Sequence, residues 1–259
     1  MFSHIWRGWR VIATGLSFAF FGLGGLLLLI AGLPLMYLLF PRTVRRQRMA
    51  RRMVRGLFWL FVRYMWMTGV LRFRFINGER LARPGLVIVA NHPTLLDVVF
   101  LISAVPDATC IVRAGLANNP FTRAPVRLAG YVCNDSGVEL VDAGVAAVRG
   151  GSSLVVFPEG TRSNPARPPK WQRGAANIAL KAGVALTPVS ISCDPPTLRK
   201  GEPWWQVPPR RMRYSIEVLD DLPVTDWAPQ RELETNAARG LTERLRDLLT
   251  GRMERNARA

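Results

Sequence analysis

His92 and Asp97 are the residues of this 259-residue chain whose types and spacing most directly suggest chemistry. A carboxylate on one imidazole nitrogen fixes the tautomer and stabilises the cation that forms on protonation, so the other nitrogen serves as a general base. Residues five apart do not superpose on an ideal helix, yet His92 precedes the helix expected to carry Asp97, so its ring can fold back toward the carboxylate. The only other histidine, His4, stands ahead of a long apolar segment. His92 is therefore the imidazole available to a folded core.

The elements around this pair are legible. Leu86 to Ala90 is a wholly apolar run bounded by Gly85 and Asn91, which reads as a strand buried on both faces, and Pro93 suits the first position of a helix reaching about Ala104. His92 then lies at a strand-to-helix corner, where α/β sheets present ligand-binding groups. A second corner follows the Ser153 to Phe157 run: Pro158-Glu159-Gly160-Thr161-Arg162-Ser163. It combines an acid, a glycine whose backbone can approach a ligand closely, a hydroxyl, and an arginine able to grip a phosphate in a bidentate way. Alone, such a loop could be a turn with a surface ion pair. At a strand end in the same sheet as His92, it reads as the other wall of one cleft.

Further strands are expected at Leu71–Phe75, Ala108–Arg113, Tyr131–Cys133, Val184–Ile191 and Arg211–Leu219, and helices at Val138–Arg149, Trp171–Ala182 and Gln230–Leu249. Alternation of this kind predicts an α/β domain over residues 70–225, with a largely parallel sheet flanked by helices. Residues 226–259 are expected to form a C-terminal amphipathic helix and a tail that frays from Gly251. The Pro- and Trp-rich stretch from Pro195 to Pro209 reads as a loop, either near a membrane interface or packed on the domain.

The formal charge of +17 is unevenly spread: residues 1–78 hold twelve arginines and no acid, so the remaining 23 basic and 18 acidic residues leave +5 for the rest. Val11 to Phe40 runs thirty positions without a charge. As a helix it would be about 45 Å long, more than the roughly 30 Å of a hydrocarbon core, and a bend near Gly32 and Pro34 or a tilt would accommodate it. A cleaved leader is disfavoured, because the run is too long and ends in Arg42, Arg45, Arg46, Arg48, Arg51, Arg52 and Arg55. Beside a membrane span, this cluster points to anionic headgroups rather than nucleic acid, and it places the C-terminal portion on the cytoplasmic side of a bacterial-type inner membrane. The expected anchor, residues 1–69, thus comprises a transmembrane helix over about 11–40, a basic segment over 42–55, and an interfacial or buried helix over about 56–69.

Cys110, Cys133 and Cys193 are scattered and read as reduced, ordinary cysteines, and no metal-ligand cluster occurs. The absence of a Gly-x-Ser-x-Gly elbow and the position of His92 ahead of nearly every acid count against a serine hydrolase.

Asn91-His92-Pro93-Thr94-Leu95-Leu96-Asp97, followed by Phe157-Pro158-Glu159-Gly160-Thr161-Arg162-Ser163 and by Leu186-Thr187-Pro188-Val189, resembles the PlsC-like glycerolipid acyltransferases over roughly residues 70–195. The best-known activity of that family is 1-acylglycerol-3-phosphate acylation, and the stretch from Asn91 to Arg162 also resembles members of aryl-polyene pathways. The resemblance implies transfer of a fatty acyl group from acyl-CoA or acyl carrier protein to a hydroxyl at the membrane surface. No cofactor is implied beyond the donor substrate, and the expected partners are membrane lipids and the donor, with no nucleic acid. It implies His92 and Asp97 as the catalytic pair, and Glu159, Gly160, Thr161 and Arg162 as acceptor-binding residues with Arg162 on a phosphate. Arg113 stands where family members often carry a lysine facing the same site. In one block the chain departs from the pattern: Gly130-Tyr131-Val132-Cys133-Asn134-Asp135-Ser136 has Ser136 where the family's arginine contacts the acceptor phosphate. Arg162, Arg113 or Arg127 could hold a phosphate instead. The alternatives are an acceptor without phosphate, such as an ornithine lipid, a glycolipid or an aryl-polyene lipid, and a non-catalytic membrane lipid-binding protein.

Overall fold

The structure is a computed structural model and describes residues 2–112, 114–133, 137–163, 170–227 and 234–258. Arg113 and Ser136 lie outside these residues.

The chain opens with a long apolar helix in two parts, α1 (Phe2–Leu27) and α2 (Leu33–Leu39), joined by a π-helical turn over Leu28–Gly32. A wider turn of this kind is a recognised way to bend a helix. Trp6 to Leu39 is long and apolar enough to cross a membrane. Where it meets the rest of the protein the approach is close: a Cβ on Gly25 would overlap the Phe121 carbonyl oxygen.

Residues 43–67 form one continuous helix, α3 (Thr43–Met67), so the basic segment and the helix expected after it are a single element. Val54, Phe61, Val62 and Met65 explain the continuity. They recur at helical spacing and bury one stripe, each side chain contributing roughly 1.5–3 kcal/mol.

The domain proper is a seven-stranded sheet in the order β1 (Leu71–Ile76), β7 (Met212–Val218), β6 (Leu186–Asp194), β2 (Val87–Ala90), β5 (Ser153–Val156), β3 (Ala108–Val112), β4 (Val132–Cys133). Every pairing is parallel except β6 with β7, so β1 and β7 run opposite to the other five. Its helices are α4 (Asp97–Ala104), α5 (Ala114–Asn118), α6 (Arg123–Ala129), α7 (Gly137–Arg149), α8 (Gly174–Ala182) and α9 (Glu234–Arg258). Alternation along β2 divides the core. Ile88 and Ala90 pack with Phe61, Met65, Phe100 and Leu101 of α3 and α4. Val87 and Val89 pack with Ile178, Ala179, Leu241 and Leu245 of α8 and α9. Because both faces of β2 are covered, its run is apolar throughout.

Several element boundaries differ from expectation; β6, for instance, spans Leu186–Asp194 rather than Val184–Ile191. The helix after β2 begins at Asp97, not Pro93, because Thr94 folds residues 94–96 into a turn bonded to the Asp97 carboxylate. The helix after the second corner begins at Gly174, not Trp171, because the Gln172 N–H is engaged by the Pro158 carbonyl at 2.8 Å. The last helix runs on through the segment expected to fray, with Leu249 buried and Arg252 bonded to Glu217 of β7 (Nε to Oε2, 2.6 Å). The start expected for it, Gln230, lies outside the described residues.

Candidate active site

β2 and β5 are parallel neighbours in the register Val87 to Leu154, Ile88 to Val155 and Val89 to Val156. Their carboxyl ends are therefore level, and the two corners that follow them face each other. Asn91 closes β2 with its side chain, which donates to the Ile191 carbonyl (2.8 Å) and accepts the Ile191 N–H (2.7 Å). Such a two-way amide bond substitutes for the strand ladder where the chain leaves the sheet. Next in the chain, the His92 ring stacks on Phe157 from the end of β5, with centroids 4.2 Å apart and planes inclined by 26°.

His92 Nδ1 lies 2.9 Å from Asp97 Oδ2. That oxygen also accepts the Thr94 N–H at 2.7 Å, while Asp97 Oδ1 accepts the Thr94 hydroxyl at 2.6 Å. The Thr94 hydroxyl in turn accepts the Tyr214 O–H at 3.1 Å and the Leu96 N–H at 3.2 Å. Asp97 is completely buried. Burial pushes its carboxyl up from the usual carboxylate range, against the opposing pull of His92 and Thr94. Burial likewise raises the Tyr214 hydroxyl well above its ordinary value, keeping it a donor to Thr94. With a carboxylate on Nδ1, the proton of a neutral His92 belongs on Nδ1, and Nε2 is the basic nitrogen of a ring that lines the cleft.

At the second corner Glu159 faces inward. Its Oε1 accepts the His92 backbone N–H at 3.0 Å and the Ser163 hydroxyl at 2.9 Å, and the Ser163 N–H donates to the His92 carbonyl at 2.7 Å. Glu159 is only 8% exposed, and its Oε2 is buried with no hydrogen-bond partner among the described residues. Gly160 has φ +63°, a conformation that lets the loop reverse without strain.

The two corners border a cleft of about 700 Å³. Val98, Cys110, Val112, Leu140, Val156 and Phe157 supply apolar wall, and Arg162, Arg173 and Lys200 supply cations. Gly160 and Thr161 line it too. Glu159 stands behind them, against the His92 backbone. Arg162 reaches the cleft while its Nη1 donates to the Leu198 and Arg199 carbonyls, both at 2.9 Å, so it also ties down the loop that carries Lys200. Leu198 is buried at φ +53°, a left-handed backbone that a branched residue holds only when its surroundings fix it, and Leu95 N–H gives its carbonyl a second bond at 3.2 Å. Arg127 is exposed on α6 and is not among the lining residues.

Burial raises the Cys110 and Cys193 thiols, each to about 12, so both remain protonated near neutral pH. Thr94, Tyr214, Arg173 and Lys200 belong to the site without having been singled out from the sequence. Thr94 was within reach, since a hydroxyl three residues before an acid is a recognised capping pattern. Tyr214 joins from a strand 120 positions away, and no local pattern announces it.

Known proteins resemble this chain in sequence and in fold. A family model described as Acyltransferase matches residues 72–192. A chloroplastic 1-acyl-sn-glycerol-3-phosphate acyltransferase from Arabidopsis thaliana is 30% identical over 40% of this chain and 31% of its own length. A probable 1-acyl-sn-glycerol-3-phosphate acyltransferase from Mycoplasma pneumoniae is 24% identical over 62% of this chain and 64% of its own. The match thus spans from about a third to somewhat under two thirds of these relatives. The crystal structure of the 1-acyl-sn-glycerophosphate acyltransferase from Thermotoga maritima has the same fold, with a TM-score of 0.66 at 17% identity over 95% of this chain and 97% of that one. Residues 72–192, somewhat under half of this chain, thus form a domain that matches the Acyltransferase family model, and sequence relatives and fold agree with that match.

Proposed function

We propose that the protein transfers a fatty acyl group from a thioester to a hydroxyl of a lysophospholipid such as 1-acylglycerol-3-phosphate, at a membrane surface. The observation that carries this reading is the buried Asp97 carboxylate on His92 Nδ1, in a ring that opens onto a cleft with apolar and cationic walls. His92 Nε2 takes the proton as the acceptor oxygen attacks the thioester carbonyl, and Asp97 balances the imidazolium. When the carbon–sulfur bond breaks, the imidazolium returns that proton to the departing sulfur. The apolar wall suits an acyl chain, and Arg162, Arg173 and Lys200 suit the acceptor phosphate. Relatives named as 1-acyl-sn-glycerol-3-phosphate acyltransferases support the phosphate-bearing acceptor.

In this reading Trp6 to Leu39 crosses the membrane, and the exposed arginines Arg42, Arg45, Arg48 and Arg52 meet anionic headgroups on the cytoplasmic side. Trp204 supports a loop seated at the interface, since its ring packs on Phe18 of the apolar helix with centroids 6.1 Å apart, beside the exposed Trp205.

The test is acyl transfer by the purified protein in detergent, with acyl-CoA or acyl carrier protein as donor and lysophosphatidic acid as acceptor, beside His92→Ala. Product that disappears in the variant supports the reading. No product with either donor, from folded protein, overturns the lysophosphatidic acid assignment and directs attention to acceptors without phosphate.

A further inference from the structure

A second concavity, of about 300 Å³, opens where the segment Lys170–Arg173 meets α9. It is lined by Lys170, Trp171, Arg173, Arg239, Glu243 and Arg246. Four cations against one carboxylate in so small a space attract an anion of several charges. Arg239 is paired with Glu243 at 3.3 Å and Arg246 with Asp247 at 3.0 Å, all four half or more exposed. Exposed pairs of this kind are worth little and yield to a denser anion. Lys170 and Arg173 have no carboxylate partner among the described residues.

This pocket adjoins the candidate active site at one shared residue. Arg173 lines both concavities, and the neighbouring Gln172 N–H is held by the Pro158 carbonyl, one residue before Glu159. A molecule could therefore lie with one end among the α9 arginines and the other at His92.

We propose that the pocket binds the nucleotide phosphates of a coenzyme A thioester, whose pantetheine arm runs past Arg173 and presents the thioester in the cleft. The proposal rests on the acyl-transfer reading and names its donor. Converging cations in a recess suit the clustered phosphates of a small nucleotide, and Trp171 provides an aromatic wall for its adenine. An acyl carrier protein offers a convex acidic surface, which pairs with an open basic face rather than with a recess of this size.

The experiment uses the full chain in detergent. Binding of coenzyme A, dephospho-coenzyme A and adenosine 3′,5′-bisphosphate is measured by calorimetry for the wild type, for Arg239→Glu/Arg246→Glu and for Arg239→Gln/Arg246→Gln. Thermal unfolding of each checks the fold, and KM is measured in parallel for acyl-CoA and acyl carrier protein donors. The expected result is that adenosine 3′,5′-bisphosphate competes with coenzyme A and that dephospho-coenzyme A binds more weakly. Both folded double variants should bind coenzyme A at least about tenfold more weakly, the loss expected for one charged contact. Unchanged coenzyme A affinity in both variants overturns the proposal, as does failure of the wild type to bind coenzyme A. Binding that depends on the two arginines, without acyl transfer from any donor, would instead overturn the acyl-transfer reading and leave the pocket assigned.

Discussion

The Glu159 carboxylate accepts the backbone N–H of His92 at 3.0 Å, so a residue of the second corner holds the imidazole-bearing backbone of the first. The Ser163 N–H on the His92 carbonyl closes the same grip from the other side. Glu159 is thus placed to act through His92. Glu159→Gln keeps an acceptor oxygen for the His92 N–H and the Ser163 hydroxyl, whereas Glu159→Ala leaves both donors unmet in a buried place. Acyl transfer should fall by about 10²-fold in the alanine variant through kcat, and the glutamine variant should restore most of it. A rise in acceptor KM in both variants, with kcat intact, would return Glu159 to the acceptor-binding role implied by family resemblance.

Asp97 makes a prediction in which stability and activity move apart. Burial raises its carboxyl, so ionisation costs more in the folded chain than in the unfolded one. The sign follows from linkage: a carboxyl with folded pKa above its unfolded value of about 3.9 adds stability below that value and loses it as pH rises through the folded pKa. Above the folded pKa the wild type carries the full penalty. In Asp97→Asn the amide oxygen at the Oδ2 position still accepts from Thr94 and His92, and the NH₂ group faces the Thr94 hydroxyl. The variant should unfold at the same temperature as wild type or higher at pH 7, with the difference shrinking in acid. Its acyl transfer should drop by roughly 10²- to 10⁴-fold, the usual contribution of general base catalysis. Marked destabilisation at pH 7 would show that the carboxylate's hydrogen bonds outweigh its burial.

The thiols provide a chemical check. Cys110 lines the cleft but its pKa of about 12 leaves almost no thiolate near neutral pH, and Cys193 is held at about the same value. A Cys133→Ser variant treated with iodoacetamide at pH 7.5 should stay unmodified in mass and retain activity. Rapid loss of activity with one carboxamidomethyl group on Cys110 would reveal a reactive thiol in the cleft.

What was legible in the sequence is what depends on neighbours along the chain. The β2 run and Leu154–Val156 of β5 are apolar at every position because both sheet faces are covered, and a five-residue spacing leaves His92 free to turn back on Asp97. What was not legible depends on contacts across the fold. Tyr214 reaches Thr94 from β7, which lies beyond β6 in the sheet, and only the antiparallel return of β7 creates that meeting. Arg173 and Lys200 looked like ordinary surface charges, because the cleft exists only once the chain segments bearing them converge. The arginine-rich run after the apolar helix read as uniformly membrane-facing, since composition alone does not say which face of a helix the domain will cover.

Arg51 and Arg52 separate those faces. Arg51 is buried at the contact of α3 with the domain: Nε donates to Asp107 Oδ1 (2.6 Å), Nη1 to the Ala129 carbonyl (3.0 Å) and Nη2 to the Ser152 hydroxyl (3.1 Å). Arg52, one residue on, is exposed. Removing one partner of a buried charge network strands the others, at a cost of roughly 3–5 kcal/mol. Arg51→Ala should therefore unfold at clearly lower denaturant concentration while the remaining arginines still bind anionic vesicles. Arg52→Ala should unfold like the wild type and bind such vesicles more weakly, by about 1 kcal/mol per charge near the surface. Equal effects of the two substitutions on vesicle binding, with no difference in stability, would mean that the Asp107 contact does not hold α3 to the domain.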